Sequence, residues 1–216
     1  MDKIYNVRSA RNAALVDADW ARLHELRLRG FLPASDPPAW DESAWDEPVR
    51  LGLVVMDRGR VRLTPDGREA HAVWAKAEPG SDAATVVAAA YAGFQPLNLR
   101  LLKVCHDWQI ARGGIPNDHG DPAYDDRVIG RLHDVHSGAR RILAELTPAI
   151  SRFDSYEARL DDALARLASG KREWFASPVC DSYHTVWMQF HEDLLLGAGR
   201  SRADESLPGT SGSLTD

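Results

Sequence analysis

Histidines concentrate in the second half of this sequence. Six of the eight lie beyond residue 105, namely His106, His119, His133, His136, His184 and His191. Imidazole exchanges protons near neutral pH and binds metal ions, so this concentration indicates a functional site. The apolar spacing around residues 128–146 predicts a helix on which His136 points inward. His133 lies about 120° from the centre of the apolar stripe, which argues against a metal ion shared with His136.

Two further histidines, His184 and His191, belong to the last predicted helix. They are seven residues apart, hence on one edge of the helix but separated by roughly 10 Å along its axis. That distance excludes binding of a single metal ion, because Zn–N bonds measure about 2 Å. We expect them to line a small-molecule pocket with Tyr183 and Trp187. The alternative is that each is an interhelical histidine with its own hydrogen-bond partner.

An amide side chain, Asn98, falls in the middle of an apolar helix face that also carries Phe94, Leu101 and Trp108. A buried amide requires hydrogen-bond partners or costs a few kcal/mol. Asn98 could hold the backbone that Pro96 opens, or it could orient a ligand, and the sequence leaves both interpretations open.

A polar loop over residues 117–124 places an imidazole among carboxylates. Asp118, His119 and Asp121 could hold a cation or act as acid and base. The loop lacks the aspartate spacing and the closing glutamate of a calcium-binding loop. Asp121 is better explained as the N-cap of the following helix.

Two classes of function account for these residues. In the first, the helical part binds a small ligand through eight residues: Asn98, Trp108, His119, His136, Tyr183, His184, Trp187 and His191. In the second, the protein is a small enzyme in which His119, His136, His184 or His191 is the acid or base and Asp118, Asp181 or Glu192 orients it. No nucleophile elbow, phosphate-binding glycine loop or Cys-x-x-Cys motif is present, so no catalytic residue, cofactor or metal ligand is assigned.

The first third of the chain has a different pattern. Residues 17–30 predict a helix with acidic residues first and arginines last, and a proline-rich stretch follows. A short helical segment is expected over residues 40–51. Residues 53–63 predict a two-stranded hairpin that turns at Gly59. Thr64 and Pro65 are the N-cap and first residue of a further helix.

Residues 51–70, LGLVVMDRGRVRLTPDGREA, resemble the recognition-helix end, wing and following helix of winged-helix regulators of the MarR and PadR type. The Leu-Thr-Pro-x-Gly-Arg sequence after a short hairpin is the most specific part. The resemblance covers about a third of the chain. It implies that the helix before Gly52 enters the DNA major groove, and that Arg58, Arg60 and Arg62 contact DNA from the wing.

The segment that would read DNA departs from the family pattern. It carries five carboxylates against the single Arg50, namely Asp36, Asp41, Glu42, Asp46 and Glu47. Carboxylates repel phosphates, and recognition helices normally present Arg, Lys, Asn or Gln to the bases. Two interpretations therefore stay open. The module binds DNA, or it keeps the winged-helix shape and contacts another protein.

Apolar stripes predict four helices between residues 82 and 196, which need one another to bury their apolar faces. The expected fold is mainly α: an N-terminal extension at 1–16, a winged-helix-like module with a small β-hairpin at 17–80, a helical bundle at 81–197 and a disordered tail at 198–216.

Composition sets the remaining bounds. The chain has 216 residues and a net charge of −6, which gives no general attraction to nucleic acid. No apolar run of about 18 residues and no secretory signal are visible, so we expect no membrane association. Two cysteines exclude a disulfide framework and favour the cytoplasm. The expected partners are a small-molecule ligand, DNA if the acidic segment permits it, and a second copy of the chain, since such regulators commonly dimerise.

Overall fold

The computed structural model describes residues 15–33, 42–77, 80–111 and 113–205. This part of the chain contains seven α-helices and one three-stranded antiparallel sheet. The predicted fold class, mainly α with a small β-hairpin, is confirmed. None of the helices in the described ranges has the length and apolar character needed to cross a membrane.

The described residues between 15 and 77 form what we term the N-terminal module. Its elements are α1 (Asp17–Arg29), β1 (Leu32–Pro33), a 3-10 turn (Glu42–Trp45), α2 (Asp46–Arg50), β2 (Val54–Asp57), β3 (Arg60–Leu63) and α3 (Pro65–Ala75). The sheet has the order β1-β3-β2. The short helical segment predicted over 40–51 is thus a 3-10 turn followed by α2, and the proline-rich stretch before it lies outside the described residues.

The predicted hairpin is confirmed. Asp57 pairs with Arg60, so the turn has two residues, and both adopt positive φ, 49° at Arg58 and 71° at Gly59. Turns of this kind match the twist of the strands they join. The sequence did not reveal β1, whose Leu32 pairs with Val61 of β3.

The Leu-Thr-Pro-x-Gly-Arg sequence has a structural explanation. The Thr64 side chain caps α3 by accepting a hydrogen bond of 3.0 Å from the backbone N–H of Gly67, and Pro65 opens the helix. A Cβ atom at Gly67 would lie 1.9 Å from the carbonyl oxygen of Leu53. Glycine is therefore required where α3 approaches the start of the hairpin.

The described residues between 80 and 205 form what we term the bundle. Its four helices are α4 (Asp82–Gln109), α5 (Pro122–Leu146), α6 (Ser155–Ala168) and α7 (Tyr183–Gly197), joined by 3-10 turns at Ser151–Phe153 and Arg172–Trp174. Its apolar residues pack into one cluster, and the N-terminal module has a second cluster of its own. Asp121 and Ser182 cap α5 and α7 through their side chains.

The helix α4 continues through Pro96. One prediction about the C-terminal end of the chain needs correction. The predicted disordered tail is wrong as far as residue 205, because a 3-10 turn (Arg202–Asp204) packs back on the bundle. There Glu205 accepts hydrogen bonds from Tyr91 and His191 at 2.8 and 2.7 Å. Residues 206–216 lie outside the described part of the chain.

Candidate functional site

A network of buried polar side chains joins the N-terminal module to the bundle. The module contributes His24 of α1 and His71 of α3, both buried. One helical turn before His24, the ring of Trp20 stacks on Trp74 with centroids 5.5 Å apart. This stack holds α1 against α3, and the two imidazoles stack as well, with centroids 5.2 Å apart.

The bundle contributes a carboxylate, Asp193 of α7, whose side chain has no exposed surface. Its Oδ1 accepts a hydrogen bond of 2.7 Å from Nε of Arg152. Its Oδ2 lies 3.0 Å from Nε2 of His24 and 3.3 Å from the hydroxyl of Tyr156. Burial acts to raise the pKa of Asp193, but the hydrogen bond with His24 and the charge of Arg152 outweigh it and hold that pKa below its ordinary value. Asp193 is therefore ionised inside the protein.

The two imidazoles extend this network into the module. Nδ1 of His24 lies 3.1 Å from Nε2 of His71. Because Nε2 of His24 faces a carboxylate, it carries hydrogen, and in a neutral His24 the Nδ1 atom accepts from Nε2–H of His71. Burial lowers the pKa of His71 to about 3, so this imidazole is neutral at pH 7. Its Nδ1 is buried without a hydrogen-bond partner among the described residues.

A groove of about 960 Å³ runs along the same junction. One wall consists of α1 and β1, and the other consists of residues 178–185 and α7. Two ion pairs join the walls, Arg29 with Asp181 at 3.2 Å and Arg27 with Glu192 at 2.6 Å. The groove is thus bounded by charged groups from both parts of the protein.

A smaller cleft of about 280 Å³ reaches the buried network itself, since His24, Arg152 and Tyr156 line it together with Arg159. Arg159 donates a 3.0 Å hydrogen bond to Asp181, which lines the larger groove. Burial acts to raise the pKa of Asp181, but its two arginine partners outweigh burial and lower it. Asp181 therefore connects the groove and the cleft electrostatically.

Five of the eight residues predicted to line a bundle pocket pack against one another or a shared neighbour. Nε1 of Trp187 donates a 2.9 Å hydrogen bond to Oδ1 of Asn98, and the ring of Trp187 stacks on Tyr183. Nδ1 of His136 lies 3.5 Å from the Tyr183 hydroxyl. His191 contacts the ring of Phe94, which also stacks on Trp187.

The prediction of a common pocket inside the bundle needs correction. Nε2 of His136 is bonded to Asp161 at 2.9 Å, and Nε2 of His191 is bonded to Glu205 at 2.7 Å. Burial lowers the pKa of both histidines. Each group has its own partner, as in the interhelical alternative, and Asn98 serves the indole of Trp187.

The other three predicted residues lie elsewhere. Trp108 and His119 pack together with ring centroids 4.3 Å apart and line an open cavity of about 410 Å³. His184 lines the groove between module and bundle, where burial lowers its pKa. His184 is thus the predicted ligand-binding residue that lies at the junction.

The wing arginines, Arg58, Arg60 and Arg62, have exposed side chains. The guanidinium of Arg60 lies 4.6 Å from the ring centre of Phe31, and Arg62 lies 3.4 Å from the carboxylate of Asp57. On α2, Glu47 binds the guanidinium of Arg50, so the single arginine of the acidic segment is neutralised locally. Asp36 and Asp41 lie outside the described residues.

No sequence motif marks His24, His71 or Asp193 as functional residues. One signal was available, because His24 follows Trp20 by four residues and Asp193 follows Phe190 by three, which places each polar group on an apolar helix face. In the part of the chain that the structure describes, no group of three or more His, Cys, Asp or Glu side chains is placed to hold a metal ion.

Comparison with known proteins adds no further constraint. No family model, no curated protein and no solved structure matches this chain.

Proposed function

We propose that this protein is a winged-helix regulator whose N-terminal module binds DNA through its wing and whose junction with the bundle binds a small ligand. The observation that carries the proposal is the sheet of order β1-β3-β2, whose hairpin ends in a two-residue turn that contains the exposed Arg58 and is followed by the exposed Arg60. The order of α2, hairpin and α3 is the one that the resemblance of residues 51–70 implies.

The charge distribution favours the wing as the main DNA contact. Arg60 and Arg62 alternate with the buried Val61, so they share the outer face of β3. The exposed ion pair between Arg62 and Asp57 contributes at most about 1 kcal/mol and can be exchanged for a phosphate contact. In contrast, the Arg50 side chain on α2 is bound by Glu47. We infer binding that relies on the DNA backbone more than on base contacts.

The groove supplies the ligand half of the proposal. A molecule bound there touches α1 and β1 of the module and α7 of the bundle, so its affinity depends on how the two parts are docked. A ligand that binds one docking arrangement better shifts the population toward it. The groove thus replaces the interior of the bundle as the proposed ligand site, because the predicted residues in the interior are hydrogen-bonded within the protein. The low cysteine count, two in 216 residues, favours the reducing cytoplasm as the location of the protein.

Fluorescence anisotropy with labelled duplexes covering the region upstream of the protein's own coding sequence tests DNA binding. We expect binding that weakens steeply between about 50 and about 200 mM salt. Replacing Arg58, Arg60 and Arg62 together by Ala should reduce the slope of log affinity against log salt by roughly 0.9 for each lost phosphate contact. The matched control replaces Arg100, Arg127 and Arg141, three exposed arginines of the bundle, and should leave the slope unchanged.

Equal effects of the two triple variants, or no salt-sensitive binding at all, would refute the DNA-binding role.

A bulky substitution tests the groove separately. Val179→Trp adds a large ring to an exposed groove residue and should change DNA affinity at least threefold, on the order of 0.7 kcal/mol. Leu99→Trp, on an exposed face of α4, is the control and should leave the affinity unchanged.

A further inference from the structure

A histidine–carboxylate pair lies in the segment between α4 and α5, outside the network at the junction. Nδ1 of His119 is 2.9 Å from Oδ2 of Asp125, which is buried in the first turn of α5. An imidazole nitrogen this close to a carboxylate carries hydrogen and donates it. The free lone pair of the ring is therefore on Nε2.

The ring is held in place from several sides. It packs on Trp108, which itself stacks on Phe175 with centroids 4.3 Å apart. Asn117 accepts a 3.0 Å hydrogen bond from the backbone N–H of His119 and donates one of 3.0 Å to Oδ1 of Asp125. His119 also adopts a φ of 59°, a backbone conformation that is uncommon for residues other than glycine and that clusters at functional sites.

The remaining polar edge of the ring is accessible. Within the described part of the chain Nε2 of His119 makes no protein hydrogen bond, and 20% of the side chain is exposed. The cavity of about 410 Å³ at this point is also lined by Arg172, Glu173 and Ser177. The Arg172 guanidinium donates to the backbone carbonyl of His119 at 3.4 Å, which keeps a positive charge beside the imidazole.

We propose that His119 is a nucleophile that accepts a phosphoryl group at Nε2 from a small, activated phosphoryl donor. The Nε2 lone pair forms the new bond to phosphorus while the bond between phosphorus and the leaving group breaks. With phosphoramidate as donor, the reacting form carries an –NH3⁺ group on phosphorus, so the leaving group departs as ammonia without a proton from the protein. Nδ1 keeps its hydrogen, so the ring becomes a cation whose charge is balanced by Asp125, as a carboxylate stabilises an imidazolium in a catalytic triad. Arg172 supplies the cation for the phosphoryl oxygens.

The decisive experiment uses the unmodified protein and phosphoramidate. Phosphorylated histidines, called labelled below, are identified by mass spectrometry at neutral pH as a function of time. Exposure alone would favour His106 and His133, both more exposed than His119. The proposal instead expects His119 to be labelled roughly tenfold faster than either, because its nucleophilic nitrogen is oriented and its developing charge is balanced. Labelling that follows exposure would overturn it.

Two variants test the role of the carboxylate. Asp125→Asn should slow labelling of His119 roughly tenfold or more, in line with other hydrogen-bond partners that support a functional histidine. Asp126→Asn, an exposed neighbour on the same helix, should leave the rate unchanged, and labelling of His133 provides an internal reference in each sample. An unchanged His119 rate in a folded Asp125→Asn protein contradicts the proposal. Where that variant does not fold, the map of the unmodified protein decides, and neither result depends on DNA binding.

Discussion

His24 and Asp193 are 169 residues apart in the sequence, yet Nε2 of one lies 3.0 Å from Oδ2 of the other. The histidine belongs to the N-terminal module and the carboxylate to the bundle. Both are buried, and Arg152 and Tyr156 also donate hydrogen bonds to the carboxylate. Because the hydrogen bonds of one buried charge come from both parts of the chain, the stability of the junction depends on this group.

Removing the charge of Asp193 should destabilise the protein strongly. In Asp193→Asn, the partly buried Arg152 loses the ionic partner that lies in the interior, and we expect a loss of about 3–5 kcal/mol in the free energy of unfolding. Urea denaturation at pH 7 measures it. Glu192→Gln is the control, since Glu192 is the preceding residue and is partly exposed in its pairs with Arg27 and Arg202. Its loss should not exceed about 1 kcal/mol, and similar losses for both variants would contradict the assignment.

His71 should make the protein sensitive to acid. Its pKa is about 3 in the folded protein and near 6.5 in the unfolded chain, so between these values only the unfolded chain binds the proton. The free energy of unfolding should therefore fall as the pH falls from about 6.5 toward 3, by up to about 1.4 kcal/mol per pH unit from this group.

Urea titrations between pH 7 and pH 5 compare the unmodified protein with His71→Gln. The variant should show a flatter dependence of stability on pH, whatever its absolute stability. His133→Gln, which changes an exposed histidine, should retain the original slope. If removing His71 leaves the slope unchanged, the acid sensitivity arises elsewhere.

Two glycine-to-alanine substitutions should have opposite effects. Gly67→Ala places a Cβ atom 1.9 Å from the Leu53 carbonyl oxygen and should cost about 1–3 kcal/mol or more, because backbone must move to relieve the overlap. Gly130→Ala, inside α5 with no atom within 4 Å of the new Cβ, should stabilise by about 0.5–1 kcal/mol. Thermal unfolding distinguishes the two, and a neutral Gly67→Ala would show that the approach of α3 to the hairpin is not tight.

The Asn98 side chain should matter for stability through Trp187. Asn98→Ala leaves the indole N–H of Trp187 without its acceptor in the interior, at a cost of about 1–3 kcal/mol. The neighbouring Leu99→Ala, at an exposed position, should change stability by less than about 0.5 kcal/mol. Denaturation monitored by tryptophan fluorescence measures both. Equal effects would mean that another group accepts from the indole.

Features set by near neighbours could be predicted from the sequence. The caps at Thr64 and Asp121 depend on backbone groups within three residues, and the hairpin turn depends on Gly59. The strand β1 could not be predicted, because its two residues become a strand only by pairing with β3.

The candidate site shows the same division. Spacing correctly placed His136 on a buried helix face, but it could not indicate that Tyr183 and Asp161 already occupy the two ring nitrogens. His24 and His71 belong to the N-terminal module, whose sequence resemblance points to DNA contacts and not to a buried network. Asp193, the carboxylate that His24 contacts, follows both by more than a hundred residues, a relationship that helical periodicity does not encode.

The two imidazoles of the network belong to the N-terminal module, and its carboxylate belongs to the bundle. This division has a consequence for protein engineering. A hybrid that joins residues 15–77 to an unrelated helical domain would contain the two histidines without the carboxylate that Asp193 provides. The graft should then dock poorly unless an aspartate is introduced at the matching position of the recipient helix. Exchange of the bundle for another helical domain is thus restricted to hosts that carry the complementary charge.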